Sequence, residues 1–111
     1  MSTSNKEDLK QGLKFDNGKV RLDLIPPEAV FALGEILTFG AQKYADRNWE
    51  LGMKWGRVFG AALRHMFKWA SGDKLDEETG KSHLWHALCC LVFLVTYEMR
   101  GVGENDIHQT T

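Results

Sequence analysis

Three imidazoles and a run of acids are the groups in this chain best suited to chemistry. His83 and His86 stand three residues apart, so on a helix both project from neighbouring points of one face. His65 lies upstream in a second helical pattern, and Asp73, Asp76, Glu77 and Glu78 fall in the segment between the two. Imidazole nitrogens with carboxylate oxygens form a donor set for a divalent metal, or for a phosphate ester carried with one. The competing reading is a pair of partly exposed histidines at a helix start beside a solvated acidic loop. An H-x-x-H spacing alone is far weaker evidence than H-E-x-x-H. The acidic run does not follow the spacing of a calcium-binding EF-hand loop.

Further charged groups surround this set. Glu28 and Glu35 lie two turns apart on one face of a helical pattern, with Phe31, Ala32 and Phe39 on the same side. A carboxylate on a largely apolar face is costly unless it meets a cation, which singles out Glu35. Glu28, in a first turn, also answers a helix dipole. Lys14, Lys19 and Arg21 make a basic arm, and Lys43, Arg47, Arg57 and Arg64 add cations, with Arg64 directly before His65. Guanidinium forks match phosphate oxygens, although most such residues on any protein are simply solvated. Tyr44, Asn48 and Trp49 share one loop with Asp46. There an aromatic face can stack on a nucleobase while an amide reads its edge; the competing role is core packing.

The elements that must position these groups are helices. Ile25-Pro26-Pro27-Glu28 suits a helix start, because proline lacks an N–H that would have no partner there. Val30, Leu33, Leu37, Ala41 and Tyr44 recur at helical spacing, which predicts a first helix from about Pro27 to Tyr44. Gly34 and Gly40 weaken it by about 1 kcal/mol each. A second helix is expected from about Trp55 to Ala70, with Phe59, Ala62 and Met66 on its apolar stripe. Ser82 can cap a third that runs to about Arg100 and is apolar nearly all round from Leu84 to Val95. A helix without a polar face belongs at the centre of a bundle or in an oligomer interface. The Asp16-Asn17-Gly18 turn marks the preceding arm as a small hairpin or an irregular segment. The expected fold is therefore all-α: a bundle of three long helices with an irregular N-terminal arm, completed by homo-oligomerisation into a dimer or tetramer. Residues 1–13 read as a flexible leader, 14–100 as a single domain and 101–111 as a flexible tail.

Composition sets the outer limits. The 111 residues are 43% hydrophobic and 26% charged, which suits one globular domain. Fourteen basic and fifteen acidic side chains give a net charge of -1, so a role coating a nucleic-acid polymer is not expected. Cys89 and Cys90 are adjacent in an apolar run and read as buried thiols in a reducing compartment. The stretch from Ala87 to Val95 is far short of the roughly 20 residues that span a bilayer, and Met1 to Gln11 lacks an apolar signal core. The expectation is a soluble cytoplasmic protein with no membrane partner.

The chain also resembles a known family. Lys14-Phe15-Asp16-Asn17-Gly18-Lys19-Val20-Arg21, continuing to Ile25-Pro26-Pro27-Glu28, is similar to the opening of the phage and prophage dATP/dGTP diphosphohydrolase N-terminal domains. So are Phe39-Gly40-Ala41-Gln42-Lys43-Tyr44, Asn48-Trp49-Glu50, Arg64-His65, Asp76-Glu77-Glu78-Thr79-Gly80 and His83-Leu84-Trp85-His86-Ala87. The motifs follow in order over about residues 14 to 100.

The resemblance implies an all-α, MazG-like nucleotide pyrophosphohydrolase. Its reaction would be metal-dependent attack of water on a purine deoxynucleoside triphosphate, dGTP or dATP, giving the monophosphate and pyrophosphate. A phage-encoded member would act in the cytoplasm of the bacterial host. Asp76, Glu35, Glu78, His83 and His86 become the candidate metal ligands, and His65, Glu35 and Asp76 the candidate catalytic groups. Lys19, Arg21, Lys43 and Arg64 would hold the phosphates, with Asn48 and Trp49 on the base. MazG-like enzymes carry an E-x-x-E and a later E-x-x-D. Here Arg64 and His65 stand in the second helix and His83 and His86 in the third, so the spacing survives with other ligand types. Imidazole favours manganese or zinc over magnesium. Two alternatives remain open. One is a non-catalytic nucleotide-binding or assembly module. The other is an HD-type phosphohydrolase, although no His in this chain precedes an Asp.

Overall fold

A computed structural model describes residues 12–15 and 17–108. Most of the expected leader, Asp16 of the expected turn and the last three residues of the expected tail lie outside the described residues. Three α-helices carry the fold: α1 (Pro27–Lys43), α2 (Trp55–Ala70) and α3 (His83–Arg100). Two short 3-10 turns, Leu22–Leu24 and Asn48–Leu51, precede α1 and α2. Among the described residues there are isolated bridges but no strand, so the arm before α1 is irregular and not a hairpin.

The helix limits follow local chemistry. Pro27 opens α1, and the backbone N–H of Tyr44 closes it on the Gly40 carbonyl. At the start of α3 the Ser82 hydroxyl accepts the Leu84 N–H at 3.1 Å. Gly101 ends that helix in the left-handed region at φ 68°, where a side chain would be strained.

The third helix is the common partner. It packs along α2 and, less extensively, along α1. The core is built from Ala32 and Ile36 of α1, Val58 and Ala62 of α2, and Ala87, Cys89 and Tyr97 of α3. The alanines allow close approach of the helices. Both cysteines are free thiols, and burial pushes Cys89 up to about 12, so it stays an inert core group.

At the far end of α3, Tyr97 is fully buried and donates its hydroxyl to the Trp49 carbonyl at 2.6 Å. The Trp49 ring stacks on Phe93 at 4.3 Å, nearly parallel. Arg100 joins Glu50 at 2.8 Å. Together these contacts clamp the second 3-10 turn onto the helix.

The segment after α3, whose glycines and polar ending suggest a loose tail, is pinned over 102–106. Trp55 donates its indole N–H to the Val102 carbonyl at 2.9 Å and its backbone N–H to Glu104. Asp106 accepts the Gly56 N–H at 2.7 Å, which caps α2 from far along the chain. Gly103 sits at φ 82° against the Met53 carbonyl, where a Cβ would collide. Among the described residues no helix is long and apolar enough to cross a membrane.

Candidate metal centre

The imidazoles meet because α2 and α3 pack side by side and the segment between them folds back on itself. Asp76 N–H bonds to the Lys81 carbonyl and His83 N–H to the Lys74 carbonyl, both at 2.8 Å, while Leu75 and Ser82 form an antiparallel bridge. Gly80, at φ 73°, supplies the reversal. The acidic loop is thereby held against the start of α3 and the later part of α2.

His65 and His83 are buried and face each other, with their Nδ1 atoms 2.9 Å apart. The His86 ring stacks on His65, centroids 4.8 Å apart and nearly parallel. One ligand atom from each of His65, Asp76 and His83 lies within 4.8 Å of the others. Asp76 is placed by its own turn. Its Oδ2 accepts the N–H groups of Glu78 and Thr79 at 3.1 and 3.0 Å and the Thr79 hydroxyl at 3.2 Å. The same hydroxyl lies 2.8 Å from His86 Nε2 and accepts the Lys81 N–H. His86 Nε2 stands 3.6 Å from Asp76 Oδ2, and His83 Nε2 stands 3.7 Å from an Asp73 oxygen.

Charge and burial prepare these groups for ligation. Burial first, then the neighbouring His86, Arg64 and His83 groups, pushes His65 down to about 4, so its ring is neutral at pH 7. Burial likewise lowers His86, against the attraction of Asp76. Burial works to raise the Asp76 carboxyl. It is outweighed by the Thr79 hydrogen bonds and the neighbouring His86 and His65 rings, which hold it below the usual carboxylate range. Neutral imidazole and ionised carboxylate are the forms that bind metal. Two Nδ1 atoms at 2.9 Å need either a proton between them or a cation in its place. Two nitrogens on one cation, each at about 2.1 Å, stand about 3.0 Å apart at a right angle and about 3.4 Å apart at the tetrahedral angle, so the pair would need to spread only slightly. The donor set fits a divalent transition ion.

Other residues singled out by type and spacing lie elsewhere. Glu35 pairs with Lys81 at 2.8 Å and Glu78 with Lys43 at 2.7 Å, so both carboxylates meet ammonium groups outside the triad. Glu35 lies on the outer face of α1 beside Phe31 and Phe39, lining a shallow groove of about 550 Å³. His86 touches the triad's edge through Asp76 and Thr79. Arg64 is exposed on α2, and its charge reaches His65. Lys19 and Arg21 lie on the exposed arm, where Arg21 pairs with Asp23 at 2.8 Å. Asn48 is exposed in the second 3-10 turn, and Trp49 packs against the later part of α3.

Two contributors escape a reading by residue type. Thr79 is the hydrogen-bonding hub, and its signal was an Asp followed three residues later by Thr, the spacing of an Asx turn closed by a hydroxyl. Lys81 carries no such mark; only the folded loop brings it to Glu35.

A family model described as dATP/dGTP diphosphohydrolase, N-terminal, matches residues 9–107. A protein of Salmonella phage PMBT28 named dATP/dGTP diphosphohydrolase is 39% identical over 83 residues. That stretch covers 75% of this chain and 28% of the phage protein, so the chain corresponds to little more than a quarter of its curated relative. No solved structure matches.

Proposed function

Because the chain belongs to the dATP/dGTP diphosphohydrolase N-terminal family, we propose that it hydrolyses a purine deoxynucleoside triphosphate, dGTP or dATP, to the monophosphate and pyrophosphate, with a divalent metal. The observation that carries this reading is the convergence of His65, Asp76 and His83 within 4.8 Å. Those three residues would hold the ion. When bound, it supplies charge neutralisation for phosphate oxygens and acidification of water.

The chain's own groups do the rest. Thr79 and the turn N–H groups keep Asp76 ionised and aimed. Neutral His65 offers a lone pair, and His83 faces it with its Nδ1 2.9 Å away. His86, at the edge of the triad with its Nε2 held by the Thr79 hydroxyl, would take and keep the proton of the attacking water until the products leave. Arg64, whose charge reaches His65, and Lys43, which pairs with Glu78 of the acidic loop, would hold the phosphate tail, an electrostatic task. Lys19 and Arg21 would reach the same tail only if the arm folds over it.

The test is to incubate the pure protein with each deoxynucleoside triphosphate plus manganese, magnesium or zinc and identify the products. Monophosphate and pyrophosphate from dGTP or dATP are expected. Nucleoside and inorganic triphosphate would move the cleavage to the other phosphoester bond, as in the HD-type alternative. Nucleotide binding without turnover would leave a non-catalytic module.

A further inference from the structure

Two acids three residues apart meet two imidazoles three residues apart. Asp73-x-x-Asp76 of the loop lies against His83-x-x-His86 at the start of α3, each acid ten residues ahead of its ring. His86 Nε2 is 3.6 Å from Asp76 Oδ2, and His83 Nε2 is 3.7 Å from Asp73 Oδ2. The two carboxylates are not equivalent. Asp76 is already engaged by its own turn and by the Thr79 hydroxyl. Asp73 has no other charged partner among the described residues. Its side chain is 58% exposed, and it stands at one nitrogen of a ring that is only 3% exposed.

We propose that Asp73 is a positioning residue: it accepts a hydrogen bond from His83 Nε2 and so fixes Nδ1 as the nitrogen directed at His65 and open to an ion. The inference rests on reading this end of the bundle as a metal centre. A neutral imidazole has one bare nitrogen, and the hydrogen bond made by the other decides which one it is. His83 Nδ1 lies 2.9 Å from His65 Nδ1, inside the cluster, so ligation through it requires the proton on Nε2. Asp73 is the charged group that faces that atom. A carboxylate behind a ligating imidazole holds the ring's orientation and raises its basicity.

The backbone keeps Asp73 at this station. Gly72, at φ 99°, turns the chain out of α2, and the Asp73 N–H closes on the Lys68 carbonyl at 3.0 Å. On the other side the Lys74 carbonyl accepts the His83 N–H at 2.8 Å, so the residue next to Asp73 is bonded to the residue that Asp73 serves. At 3.7 Å the charge contact is longer than a formed hydrogen bond by about 0.7 Å. Rotation of an exposed carboxylate on this fixed backbone closes that gap.

Long-range proton–nitrogen NMR of the metal-free full chain, at about pH 8 and so above the ordinary imidazole range, reads which His83 nitrogen carries the proton. Nε2 is expected in the wild type. Asp73→Ala should spread the proton over both nitrogens, because either ring can then donate across the Nδ1–Nδ1 contact. Asp73→Asn keeps one acceptor oxygen and should hold the proton on Nε2. Zinc affinity, read by competition with a chromogenic chelator, should fall roughly 10-fold or more in Asp73→Ala and less in Asp73→Asn. Glu77→Ala removes an exposed acid from the same loop and should change neither readout. Helicity by circular dichroism should persist in all three variants, since backbone groups hold this part of the loop. A wild-type His83 with its proton on Nδ1, an Asp73→Ala spectrum like that of the wild type, or a zinc loss as large in Glu77→Ala as in Asp73→Ala would each overturn the proposal. A wild-type chain that takes up no zinc would defeat the underlying metal reading, and the metal-free spectra tell that failure apart from a failure of Asp73 to hold the ring.

Discussion

His65 shows how one position can serve folding and chemistry in opposite directions. It sits at about 4, below its ordinary 6.5. As pH falls between those values, the unfolded chain takes up a proton that the folded chain refuses. Its stability contribution is therefore intact above about pH 6.5 and is lost as pH falls toward 4. In metal-free protein, urea unfolding should show a loss of roughly 1–2 kcal/mol from this residue between about pH 7 and pH 4.5, once solvent screening is allowed for. His65→Asn should flatten that part of the profile; an unchanged slope would mean the ring is not held neutral.

Thr79 is the second informative residue. Its hydroxyl touches both Asp76 and His86. Thr79→Val keeps the shape and removes the hydroxyl, and should weaken zinc or manganese binding by roughly 10- to 100-fold, whereas Thr79→Ser should stay near wild type. Competition with a chromogenic chelator reads both.

At this scale the residue types were legible and their pairing was not. The three-residue spacing of His83 and His86 suggests that they act together. Successive helical positions three apart still differ by about 60° in direction, and that is enough for His83 to turn to His65 while His86 turns to Thr79. Trp49 was open to two readings, since an aromatic ring in a polar loop suits a base or a core equally. The structure stacks it on Phe93.

The elements were the most legible level. Proline at the start of α1, Ser82 before α3 and the apolar periodicity of all three helices are local signals, and each helix begins and ends within a residue of the position they indicate. What local signals cannot carry is a cap supplied from far along the chain. Asp106 serves the first turn of α2, and nothing around it marks it for that task. Asp106→Ala should cost about 1 kcal/mol of stability, as the loss of a helix cap does. It should also release the 102–106 segment to faster hydrogen exchange. A variant as stable as wild type would show that the Trp55 contacts pin this segment unaided. The loop from Ser71 to Ser82 gives the same lesson. Its acids read as a solvated run, yet two of its side chains, Glu78 and Lys81, tie it to α1.

For the whole molecule, the family membership and the imidazole cluster meet in one account, since the residues that form the cluster lie within the stretch that the family matches. The family match spans nearly the entire chain, and the cluster arises from packing that the match does not describe. A chain of this length can build one modest core, and here that core is drawn largely from small side chains with Tyr97 as its one large, fully buried member. Convergence of α2, α3 and their connecting loop at one end is what brings scattered histidines and acids into one candidate site. The account therefore stands on whether that end of the bundle holds a cation. Calorimetric titration of chelator-treated protein with zinc or manganese at neutral pH measures this directly. One ion per chain is expected, with binding lost in His65→Ala and in His83→Ala while both variants keep their helicity; a chain that takes up no ion, or takes it up equally well after both substitutions, would contradict the account.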